Sequence, residues 1–368
     1  MVKITRQDDR RGENRTRKTS AAGFIAAGFC HRFMVKWFQH PVAISPEKKS
    51  GKNLIAHRAV TLRIMAPNRN YTRYTWFVFV FVFIVILAGG VVRTTQSGMG
   101  CPDWPTCFGR WIPPTDASQL PPDYEKYLRQ QDIDHTFNAY HTWIEYINRL
   151  LGALLGVFIL IHLVWTYRLF FKTRRSLFFL SLFLLLATGF QGWLGKKVVD
   201  ANLAVVKITT HMLVALLIAA IPVLILQKLK GTKTAVPRSL KSITVLALLL
   251  TIIQIVLGTE VREQVDEISR ELMYGSREQW VGRLDKWFLI HRSFSWLVAV
   301  AGLYLFIRTR SFPLLRSNGL LVLLMVITGV GAGLLMNFFS VPAFAQPTHL
   351  MAASILCISL FALRLKMK

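Results

Sequence analysis

Residues 143–160 read WIEYINRLLGALLGVFIL. The stretch has the apolar content of a bilayer-spanning helix, yet its first turns carry Glu145, Asn148 and Arg149. Charged groups inside a membrane helix are costly and mark a site by default. The surroundings decide whether it spans a membrane. Seven more apolar runs, each near the ~20 residues a bilayer needs, lie along the chain. The eight runs are Tyr74–Val92, Trp143–Tyr167, Leu177–Leu194, Val205–Leu229, Ile243–Gly258, Trp287–Ile307, Leu314–Asn337 and Phe344–Leu363, the fifth being the shortest. The chain is 53% hydrophobic, too apolar for an ordinary soluble domain of 368 residues. The expected fold is therefore an all-α integral membrane protein with eight transmembrane helices.

The net charge of +26 would suit a nucleic-acid binder. The Lys and Arg residues cluster instead in short segments between apolar runs, the pattern of cytoplasmic loops. Lipid, not nucleic acid, is the expected surrounding. The segments YRLFFKTRRS, QKLKGTKTAVPRSLK and RTRSFPLLRS and the terminal RLKMK are all basic. They place both termini in the cytoplasm, against one short basic exception, KKVVDAN. The expected location is a bacterial plasma (inner) membrane, with the mitochondrial inner membrane as the alternative. Residues 1–64 are basic and polar without an apolar period. They read as an extension ahead of a true start at Met65, as a disordered basic arm, or as an Arg-rich transit peptide. The QDD and the later polar run fit the last poorly.

The opposite side carries two long loops, about 94–140 and 259–286, rich in Trp, Tyr and Pro. Cys101 and Cys107 lie in the first, in CPDWPTC, a spacing that fits neither a zinc ribbon nor a thioredoxin-type motif. An oxidising compartment there permits a disulfide; two free thiols are the alternative.

Runs two to four can be set beside runs six to eight. EYINRLLGALLG aligns with FLIHRSFSWLVA, placing Asn148-Arg149 over His291-Arg292. LATGFQGWLG aligns with VITGVGAGLL, placing Thr188-Gly189 over Thr328-Gly329. KITTHMLVALL aligns with AQPTHLMAASIL, placing Thr210-His211 over Thr348-His349. GGVVRTT over GTEVREQ pairs Arg93 with Arg262 more weakly. The same order at near-equal spacing reads as duplication of a four-helix unit, with halves 65–235 and 236–368 in parallel orientation.

His291 and His349 fall early in runs six and eight, at the outer ends of their helices. Facing residues of a four-helix unit build cofactor sites, and haem iron accepts an axial His from each of two helices. A bare zinc or copper ion would want three or four clustered ligands, and this half offers two. Haem propionates want cations, and Arg93, Arg149, Arg262 and Arg292 lie at the right end of the bundle. Snorkelling to the interface is their plainer role. The first half departs: His211 keeps its place, but Asn148, a poor iron ligand, replaces its partner. Glu145 lies one turn before Asn148 on the same face. It either pairs with Arg149 as a neutralising i,i+4 ion pair or faces an open pocket. His141, two turns before Asn148, is a substitute ligand only for a shallow haem. His162 lies near the cytoplasmic end, without an intramembrane His at its depth.

These residues resemble the haem A synthase family over roughly Arg73–Leu365. The similarity is carried by GGVVRTTQSGMGCPDWPTC, WIEYINRLLG, GWLGKKVVDANLAVVKITTHM, GTEVREQVD, LIHRSFSW and PTHLMAAS. The resemblance implies eight helices in two four-helix halves. It implies haem b held by His291 and His349 in the second half, and haem O bound as substrate near His211 and Glu145 in the first. Glu145 would be catalytic, and Cys101 and Cys107 would pair as a disulfide. The implied reaction oxidises a porphyrin methyl to a formyl group, giving haem A for terminal oxidases. Many family members carry His where this chain has Asn148. Haem O synthase is an implied partner as the source of substrate; electron acceptor and oligomeric state, a homo-oligomer included, stay open. A non-enzymatic bis-His b-type cytochrome is the alternative reading.

Overall fold

The computed structural model describes residues 68–124, 137–200 and 205–368. The expectations for residues 1–64, and His135, lie outside these. Among the described residues, eight helices are long and apolar enough to cross a membrane. They are α1 (Arg69–Thr94), α2 (Ala139–Phe170), α3 (Arg175–Asp200), α4 (Val205–Lys230), α5 (Arg238–Glu271), α6 (Lys286–Thr309), α7 (Pro313–Phe338) and α8 (Ala345–Leu365). Among the described residues there is no β-strand, only the isolated bridges Cys107–Arg110 and Thr234–Met367.

Local chemistry sets several helix starts. Asn68 caps α1 by accepting from the backbone of Asn70 and Tyr71. Asn138 caps α2, and Asp285 caps α6 through the Trp287 N–H. Each supplies an acceptor to amides that the first turn leaves unpaired. Pro313 opens α7, where a missing N–H costs nothing. Pro222 lies inside α4, a placement membrane helices tolerate.

Packing groups the helices in fours. α1 and α3 each pack on α2 and α4; α5 and α7 each pack on α6 and α8. α8 also lies against α1 and α4, and α4 against α5, so these four helices form the seam between the groups. Leu216, Ile255 and Cys357 are buried together in that seam. The outward faces stay apolar, as bilayer contact requires: on α6, Trp296 is 71% and Val300 65% exposed.

The fifth run is the main departure from the sequence reading. The shortest apolar stretch belongs to the longest helix, 34 residues from Arg238 to Glu271. The charged segment after Gly258, read as loop, continues α5 beyond the apolar stretch. Val265 and Ile268 on this extension are buried against Trp280 and Val341, which explains why it stays helical.

At the far end of the first half, His162 is fully buried. Its Nε2 lies 3.1 Å from Thr75 Oγ1 and its Nδ1 2.5 Å from Ser181 Oγ. Tyr71 closes the cluster through a 2.8 Å hydrogen bond with Thr166 Oγ1. With both ring nitrogens engaged by hydroxyls, His162 ties α1, α2 and α3 together.

Candidate functional site

A cavity of about 1790 Å³ opens among the helices, toward the end that carries the loop of Gly98, Pro102, Asp103 and Trp111. It is larger than the ~300–1,000 Å³ of a single-ligand pocket. Glu145, Asn148, Arg149 and His211 line one part; His291, Arg292 and His349 line another. His141 is not among the lining residues. Asn148 Oδ1 is buried without a hydrogen-bond partner.

His291 on α6 and His349 on α8 face each other, with ring centroids 6.2 Å apart. A metal between two imidazoles, bound at about 2 Å from each nitrogen, places the ring centres roughly 6 Å apart. The spacing of the pair matches that geometry, with His291 Nε2 lying 3.4 Å from Gln254 Nε2. The His349 Nδ1–H donates to the Gly329 carbonyl at 2.8 Å, which leaves Nε2 as the free ligand atom. Glycines lie against all three imidazoles, and at Gly258 a side chain would crowd the ring. A methyl group on Gly258 would lie 3.1 Å from His291 Cε1; on Gly195, 3.5 Å from His211 Cε1; on Gly333, 3.7 Å from His349 Cε1. Among the described residues no three His, Cys, Asp or Glu side chains converge, so the donor set suits a macrocycle that brings its own equatorial nitrogens better than a bare ion.

The first half is built around Arg149. The side chain of Glu145 is 4% exposed, and Arg149 reaches its Oε1 through Nη2 at 2.5 Å and Nε at 3.1 Å. Glu145 Oε2 accepts the Cys101 backbone N–H at 2.8 Å. Arg149 donates further to the carbonyls of Cys101 (2.6 Å), Asp103 (2.5 Å) and Thr106 (3.2 Å). The loop so gripped is closed by a disulfide between Cys101 and Cys107. Asp103 organises it from within, accepting from the Thr106 hydroxyl and from the Phe108 and Gly109 N–H groups. Glu145 thus lines the cavity with both oxygens engaged. Arg149, expected as a cation for propionates, has all three nitrogens on protein acceptors.

Arg93 and Arg262 come together on one carboxylate. Both grip Asp266 on the α5 extension, Arg93 Nη2 to Oδ2 at 2.7 Å and Arg262 Nη2 to Oδ1 at 2.7 Å. Arg262 adds bonds to Gln346 Oε1 (2.6 Å) and the Arg93 carbonyl (3.1 Å). Two guanidinium groups share one carboxylate on the cavity wall, which Glu263 also lines. Arg292 stacks its guanidinium on Phe288, 5.6 Å from the ring centre, and has no ion pair among the described residues.

Residues 72–361 match the family described as cytochrome oxidase assembly protein, COX15-CtaA. The chain belongs to this family. Relatives include heme A synthase of Shewanella oneidensis, 34% identical over 134 residues, which covers 36% of this chain and 38% of that protein. Heme A synthase of Bradyrhizobium diazoefficiens is 29% identical over 215 residues, 53% of this chain and 58% of its own. That of Ehrlichia canis is 30% identical over 151 residues, 37% and 43%. The chain spans 38–58% of the length of these curated relatives. The family match runs from α1 almost to the end of α8, so the cavity and its histidines lie inside it.

Three residues at the site of this family member escaped the sequence reading: Asp266, Gln191 and Gln254. Gln191 Nε2 donates to the His211 carbonyl at 3.0 Å, and Gln254 Nε2 to the His291 carbonyl at 3.1 Å. A signal existed for Gln254, an amide in the middle of the apolar run LLTIIQIVLG.

Proposed function

We propose that this chain is a haem A synthase, which takes haem O as substrate and oxidises one porphyrin methyl to a formyl group through a hydroxylated stage, water supplying the oxygen and a separate electron acceptor taking the four electrons as four protons are released. The observation that carries the reading is the asymmetry of one continuous cavity. Two imidazoles face each other at one part, and a single imidazole stands with Asn148 and Glu145 at the other. His291 and His349 would hold a resident haem b. Bound there, haem b would supply one-electron redox chemistry next to the substrate. His211 would hold the iron of haem O, with Asn148, a poor iron ligand, lining the same part of the cavity. Glu145, fixed by Arg149 and the Cys101 N–H, would present a placed carboxylate beside the substrate and serve as the catalytic residue. Arg292 would meet a propionate directly, and the Arg93–Asp266–Arg262 cluster would brace the seam beside it.

The two halves would be a duplicated four-helix unit, with the outer ends of the helices on the non-cytoplasmic side of a bacterial inner membrane. Haem O synthase would supply the substrate. The test is co-expression with a haem O source, followed by chromatography of the extracted haems. Haem A or hydroxylated haem is expected; its absence while the protein accumulates in the membrane refutes the reading. Engagement of both Glu145 oxygens favours the alternative, a non-enzymatic b-type cytochrome. In that case the wild type shows a bis-His b spectrum and yields no modified haem.

A further inference from the structure

Seven buried side-chain polar atoms lack a hydrogen-bond partner among the described residues. Four of them belong to two Gln–His pairs: Gln191 Oε1 with His211 Nδ1, and Gln254 Oε1 with His291 Nδ1. In both pairs the glutamine already holds the histidine, its Nε2 donating to the histidine's own carbonyl. That bond fixes the amide orientation: nitrogen faces the carbonyl, and the oxygen is the end left over. An unpaired buried acceptor and an unpaired ring nitrogen are each costly, and here they belong to side chains that are already tied together. The economical completion is one hydrogen bond between them.

We propose that Gln191 is a positioning residue for His211: its side-chain oxygen accepts the imidazole Nδ1–H and turns Nε2 into the cavity, toward the iron of the substrate. The inference rests on the haem-binding reading of the first half. His349 shows the completed form of the device, with Nδ1 donating to the carbonyl of Gly329, twenty residues earlier in the chain. Gln191 stands at the same separation of twenty residues before His211. A histidine that ligates a metal through one ring nitrogen donates the other N–H to such an acceptor, which fixes both tautomer and ring orientation. At His349 the acceptor is main chain and immovable. At His211 it is a side chain, able to release the imidazole, which suits a site that must let its haem go. Gln254 repeats the arrangement at His291. There its Nε2 also approaches the ring Nε2 at 3.4 Å, so Gln191 is the cleaner case.

The test uses full-length protein purified after co-expression with a haem O source. The first-half haem is defined as the optical signal lost in His211→Ala. Its midpoint potential is measured in Gln191→Glu and Gln191→Leu. A carboxylate is a stronger acceptor and lowers the potential; leucine removes the acceptor and raises it. A tenfold change in ferric over ferrous preference reads as ~59 mV. Gln191→Leu also loses first-half haem to excess apomyoglobin about 10–100-fold more readily. An unchanged second-half spectrum certifies the fold, and Gln191→Met replaces the leucine variant if that fails to accumulate. If Gln191 merely braces the His211 carbonyl, Glu and Leu shift the potential in the same direction or not at all, and the proposal is overturned. If His211→Ala removes no signal, the haem-binding reading of the first half falls, and this proposal with it.

Discussion

Replacing Arg149 by leucine removes five hydrogen bonds at once and strands Glu145. The Glu145 side chain is 4% exposed and that of Arg149 17%, so the pair is desolvated. Taking one partner from a buried ion pair costs about 3–5 kcal/mol, because the remaining charge is left uncompensated. Arg149→Leu should therefore destabilise by at least ~3 kcal/mol. Glu145→Gln should cost less, about 1–2 kcal/mol, since the amide oxygen still accepts the Cys101 N–H and Arg149 keeps its three carbonyls. The double variant carries no stranded carboxylate. It should be more stable than the sum of the single losses by roughly 1–3 kcal/mol. Unfolding by SDS titration in mixed micelles, followed by helical circular dichroism, measures all three. Trypsin cleavage after Arg110 reports on the loop separately and should accelerate in Arg149→Leu. If Glu145→Gln costs as much as Arg149→Leu, or if the double variant is strictly additive, Arg149 is not the clasp described.

Other outcomes bear on neighbouring features. Cys101→Ser with Cys107→Ser should cost about 2 kcal/mol, from the chain entropy of so short a loop, and should weaken retention of first-half haem while sparing the second-half spectrum. SDS titration and optical spectra check both. His291→Ala should remove the low-spin b-type spectrum, whereas Asn148→Ala should change it little; equal loss in both would sink the assignment of sites to halves. His162→Leu should cost about 1–3 kcal/mol, by leaving the Thr75 and Ser181 hydroxyls short of a partner, without altering the haem spectra. A changed spectrum would show that His162 does more than tie helices.

The spans were legible because apolar runs of bilayer length have few alternatives. The α5 extension was not, since hydropathy sees only the charges of TEVREQVDEISRE. Its apolar residues Val261, Val265, Ile268 and Leu272 recur at helical spacing, a pattern visible only once charge is set aside. Misreading that segment as loop hid Asp266, and with it the reason Arg93 and Arg262 come together. His291 and His349 were legible as a pair because imidazoles are rare at membrane depth. The three loop carbonyls on Arg149 were not, because a backbone acceptor has no signature in residue type. Gln191 and Gln254 went unnoticed because they carry no charge.

The Arg93–Asp266 contact joins positions 173 residues apart in sequence. Synthesis at about 5–20 residues per second separates the two by roughly ten to thirty-five seconds. Until α5 emerges, Arg93 has no carboxylate and must lean toward the headgroups at the end of α1. Arrival of Asp266 gives this cation its counter-charge and draws Arg262 beside it. Biogenesis thereby acquires an order: the first four helices enter the bilayer with an unsettled charge on their flank, and the fifth settles it.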